Sequence, residues 1–79
     1  MNDKRRKELS AIKDQLGELV SLLESIKNDE DEARENMPEN LHSGERYLKS
    51  EEYCETIDDA ITSIQEIIEN LDNIIEGGD

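Results

Sequence analysis

Trp and Phe are absent from the 79 residues, and Tyr occurs only twice. Any core must therefore be aliphatic. One Cys, Cys54, excludes an internal disulfide and suits a reducing compartment. No apolar run exceeds two residues, as at Leu22-Leu23, far short of a bilayer span. The basic opening at Lys4-Arg5-Arg6-Lys7 is followed by no apolar stretch of the kind a secretory signal carries. From residue 50 onward there is no Lys or Arg at all. A chain this short supports one thin domain. With 39% charged residues and a net charge of −13 it approaches the composition of disordered chains. What separates it from them is the regularity with which its aliphatic residues recur.

Between Leu9 and Met37 the pattern steps by three and four through Leu9, Ile12, Leu16, Leu19, Leu23 and Ile26, then Glu30 and Ala33. Calling Leu9 an a position makes Ile12 a d. The second half repeats the scheme from Tyr47 to Ile75, with Cys54, Ile57, Ile61, Ile64, Ile68 and Leu71 in between. A stripe held over about four heptads predicts a coiled-coil seam on each of two helices. The two stripes also match each other. Facing residues in an antiparallel pair have numbers that add to a constant, and Leu9 with Ile75, Leu16 with Ile68 and Leu23 with Ile61 all add to 84. The intervening layers, Ile12 with Leu71, Leu19 with Ile64 and Ile26 with Ile57, add to 83. The spacing thus predicts an all-α antiparallel hairpin in one domain: helix over about 3–36, turn 37–43, helix about 44–76, disordered tail 77–79. Layers nearest the turn are small or polar, so that half is expected to be the looser one.

The turn "ENMPENLHSGERY", residues 35–47, holds the only Pro and the only His. Pro38 stops the first helix, Ser43 is the candidate N-cap of the second, and Leu41 is placed to tuck over the hairpin end.

Two helices bury little. The second carries a further column, Tyr53, Ala60, Ile67 and Ile74, at the g position, and the first adds Leu22 on the same flank. Left bare, that flank exposes isoleucine to water, which predicts self-association, a second hairpin completing a four-helix bundle. These five residues are the candidate oligomer interface. The acidic surface is the other candidate site, a polyanionic face able to dock on a basic protein as nucleic-acid mimics do. Its members are Asp29, Asp31 and Glu32, then Glu55 and Asp59, with Glu39, His42 and Arg46 at the turn. Direct nucleic-acid binding is disfavoured, because four cations face a field that repels phosphate.

Signatures of chemistry are missing: no zinc or redox spacing, no phosphate loop, no EF-hand spacing. No catalysis, cofactor or metal is expected. One ligand reading stays open, an oligomer sequestering a small nucleotide-like ligand near Arg46, Lys49 or His42. A pure assembly scaffold is a further alternative. "NMPENL" followed by "SGERY", between a basic-start heptad helix and an acidic aliphatic one, resembles small acidic helical proteins of phages and prophages of Gram-positive bacteria. That resemblance implies an accessory gene product acting in the cytoplasm of a bacterial host by binding a host, defence or phage protein. It carries over no catalytic residue.

Overall fold

The structure, a computed structural model, describes residues 1–77. Two long helices, α1 (Asp3–Glu35) and α2 (Glu45–Glu76), pack antiparallel into a rod measuring 60 × 14 × 12 Å. No strand occurs among the described residues. Of the tail expected at 77–79, Gly78 and Asp79 lie outside the described residues.

Helix α1 starts where Asn2, in extended geometry, accepts the Arg5 backbone N–H at 2.9 Å, with Asp3 in the first turn to suit the dipole. It ends before Asn36-Met37-Pro38, Pro38 being extended. A single 3₁₀ turn, Glu39–Leu41, then reverses the chain. That turn moves the start of α2. Gly44, not Ser43, is the N-cap, because the Gly44 N–H bonds back to the Leu41 carbonyl at 3.0 Å and the Gly44 carbonyl accepts from Leu48. A Cβ at Gly44 would stand 3.2 Å from that Leu41 oxygen, so the close approach itself favours glycine. Leu41 stays 46% exposed and covers the hairpin end only in part.

The α2 seam falls where the heptads put it. Ser50, Cys54 and Ile61 are buried, and Tyr47, Ile57, Ile64, Ile68, Leu71 and Ile75 are half-buried. On α1 the a positions Leu9, Leu16, Leu23 and Glu30 also face α2, as does Met37 just past its end, but the d positions do not. Ile12, Leu19 and Ile26 are 46%, 50% and 57% exposed, and Ala33 is exposed too. In their place stands the next column round the helix: Lys13, Val20, Lys27 and Arg34, of which Val20 is buried. The layers that add to 83 are therefore corrected, since α1 is rotated by one helical column. The cause is electrostatic as well as steric. Long Lys and Arg stems can lie along apolar surface while their heads reach carboxylates at its edge. The half nearest the turn is not the looser one in packing: Ser50 and Cys54 are buried there, bridged by Arg34.

Candidate interaction surfaces

The rotation gives the hairpin two unlike flanks. On one, the column Lys13, Lys27 and Arg34 meets acidic residues. Lys13 Nζ donates to Asp72, and Lys27 Nζ lies 3.3 Å from Asp58 and 3.6 Å from Asp31. Arg34 uses its fork more fully, donating to Asp31 at 2.7 Å, Ser50 Oγ at 3.2 Å and Cys54 Sγ at 3.3 Å. The Arg34 guanidinium, with help from Cys54, holds the Asp31 carboxyl below its ordinary range. Asp72 and Asp58 raise Lys13 and Lys27 respectively above the usual lysine value. Both effects favour the charged forms, so this flank is a set of clasps between the helices.

Beyond Arg34 the clasps run into the turn. The Tyr47 ring lies under Arg34, its centroid 5.9 Å from the guanidinium carbon, and His42 stacks on Tyr47 with centroids 4.5 Å apart. His42 Nε2 donates to the Met37 carbonyl at 3.0 Å, and since a carbonyl can only accept, that nitrogen carries the proton.

Among the described residues the opposite flank carries no such straps. Ile12, Leu19 and Ile26 of α1 stand beside Tyr53, Ala60, Ile67 and Ile74 of α2, all exposed, with Leu22 at 60% exposure next to them. Ile26 and Tyr53 line one open groove together with Asp29, Glu30 and Ile57, which fixes both columns on the same side. The charges of α2 avoid this side. Every carboxylate from Glu51 to Glu76 sits at a b, e or f position, while the c and g positions between Thr56 and Ile74 hold only Thr, Ala, Ser, Ile and Asn. Depletion of charge with retention of large aliphatics is the composition of an interface core.

No protein-family model, no curated protein and no solved structure matches this chain.

The candidate residues now sort by place. Leu22, Tyr53, Ala60, Ile67 and Ile74 share the charge-poor flank. Asp29 borders it. Glu32, Glu39, Arg46, Glu55 and Asp59 are exposed elsewhere on the rod and its turn. Asp31 and His42 differ from the rest: Asp31 is bound by Arg34 and Lys27, and His42 by Tyr47 and Met37, so both close the fold before they meet any partner. Arg46 and Lys49 line a groove of about 300 Å³ near the turn, but Glu30 and Glu45 line it too, a mixed set that opposes a phosphate. Among the described residues no group of His, Cys, Asp and Glu could hold a metal ion, and no helix is long and apolar enough to cross a membrane. The residues missed by the heptad reading are Lys13, Val20, Lys27 and Arg34. Their signal was present: Lys13 with Asp72 and Lys27 with Asp58 both add to 85, one off the seam register.

Proposed function

We propose that this is a non-enzymatic helical interaction protein, one that self-associates along its charge-poor flank into a four-helix bundle and offers its acidic outer faces to a basic protein. The observation that carries the reading is the sorting of α2, with all carboxylates from Glu51 to Glu76 kept off the c and g positions. A surface that only needed solubility would have no reason to clear one side of charge. The clasps consume Asp31, Asp58 and Asp72, which leaves Glu55, Asp59, Glu66 and Glu69 outward for a partner. The likeness of the turn to small phage and prophage proteins supports a host or defence protein as that partner, in the cytoplasm of a bacterial cell.

Binding to a purified basic partner tests it. Affinity should fall at least tenfold between 50 and 500 mM salt, as contacts between exposed charges are screened. Glu55→Gln with Asp59→Asn should weaken it further at low salt. Affinity indifferent to both would reject the acidic-face reading and leave assembly as the activity.

A further inference from the structure

The bare flank has a symmetry of its own. Along α1 it runs Arg5, Ile12, Leu19, Ile26, Ala33, one residue in seven and symmetric about Leu19. Along α2 it runs Tyr53, Ala60, Ile67, Ile74, symmetric about the midpoint between residues 63 and 64. In a hairpin whose facing numbers add to 84, that midpoint lies at the height of residues 20 and 21, within about 2 Å of Leu19. A two-fold axis set across the rod at Leu19 therefore maps the α1 stripe onto itself and the α2 stripe onto itself to within about 5 Å, less than one helical turn. It brings Ile12 to Ile26 of the partner subunit, Arg5 to Ala33 of the partner subunit, and Tyr53 to within about 5 Å of the height of Ile74 of the partner subunit. Such an interface is isologous, as closed dimers require.

Charge selects this arrangement over the one with both turns at the same end. Residues 23–61 hold 13 Asp or Glu and four Lys or Arg, a net −9, and the remainder of the chain is net −4. Turns together would stack −9 on −9 and basic block on basic block. Reversed, the block Lys4–Lys7 comes to the height of residues 31–34 of the second copy, beside the run Asp29–Glu32. Lys4, Arg5 and Lys7 are all exposed.

Area points the same way. A folded monomer of 9.1 kDa exposes about 4,900 Å² by the usual scaling, whereas this hairpin exposes 6018 Å². The excess is roughly 1,100 Å² per copy, of the order of the ~800 Å² per partner that a stable dimer covers.

We propose that the flank is closed by a second copy of this chain in an antiparallel two-fold dimer centred on Leu19, with Lys4, Arg5 and Lys7 of each copy against the acidic run of the other. This rests on the self-association reading above and adds the occupant's orientation.

A charge swap in the full-length chain tests it. Arg5→Glu should weaken the dimer about five- to tenfold, since two equivalent contacts turn repulsive. Adding Glu32→Lys to the same chain should restore it. Within one copy the two positions are about 40 Å apart along α1, so rescue can act only between copies. Light scattering should give twice 9.1 kDa for the unaltered chain. Spin labels on Asn40→Cys, in a Cys54→Ser background with unchanged helicity, should lie more than about 45 Å apart in the dimer, at opposite ends of the 60 Å rod. A monomer at all concentrations overturns both self-association and orientation. A dimer with labels within about 25 Å, or without rescue, overturns the orientation and keeps self-association.

Discussion

Arg34 joins more of the molecule than any other side chain described above. It links Asp31 on its own helix to Ser50 and Cys54 on α2, and it lies over Tyr47. Lysine cannot replace a planar fork that reaches three acceptors, so Arg34→Lys should destabilise nearly as much as Arg34→Ala. Losing the shared donor strands Ser50, which is buried, and a fall of several degrees in melting temperature is expected for either variant. The pH dependence has a definite sign. Asp31 is held below its ordinary 3.8 in the folded chain, so its contribution is complete above that value and disappears as pH falls through the depressed one. The stability gap between the unaltered chain and Arg34→Ala should therefore narrow in acid, below about pH 4, to what the Ser50, Cys54 and Tyr47 contacts contribute. Lys27 runs the other way: its folded value lies above 10.5, so its contribution is full below 10.5 and is lost as pH climbs beyond it. Denaturant melts at pH 3, 7 and 11 would read both limbs.

Within α1, neighbouring residues have opposite duties. Val20 is buried in the seam and Leu19, one step away, is half exposed on the bare flank. Val20→Ala should cost about 2 kcal/mol, the loss of two buried methyl groups plus a small cavity, whatever the protein concentration. Ile26→Ala should instead flatten the concentration dependence of the melting temperature, because it removes surface that the proposed dimer uses between copies. Gly17 offers a gain. Nothing stands within 4 Å of a Cβ added there, and the residue lies inside a helix, so Gly17→Ala should stabilise by about 1 kcal/mol and raise the melting temperature by ~4–8 °C. The hairpin was legible at this scale because aliphatic a positions on both helices share a single sum. Which side of that stripe α1 presents was not, because Ile12 and Leu19 outrank Lys13 and Val20 in any count of apolar residues. The seam prefers the column that can both cover it and pair with Asp58 and Asp72, and heptad counting does not score stems with paired heads. Ser43 failed as a cap for a related reason: a 3₁₀ turn too short to show periodicity shifted the helix start by one residue.

Over the whole rod, two kinds of surface answer to salt with opposite sign. An acidic face on a basic protein attracts, and screening weakens it. Two copies of this chain each bring a net −13 to one another, so their approach is opposed at long range, while the contact proposed to hold them is apolar and indifferent to ions. The contacts proposed for Lys4, Arg5 and Lys7 are local and rim-exposed, each of small weight. Raising salt from 20 to 300 mM, which shortens the screening length from about 20 Å to about 6 Å, removes more of the repulsion between rods than of the attraction at their tips. Self-association should therefore tighten several-fold over that range, while binding to a basic partner weakens. Sedimentation equilibrium across a salt series reads the first, and titration with the partner reads the second. Loosening of the dimer by salt would mean that ion pairs, not the Leu19-centred stripe, hold the copies together. In that case Leu19→Glu would leave the assembly intact, whereas an apolar interface loses it.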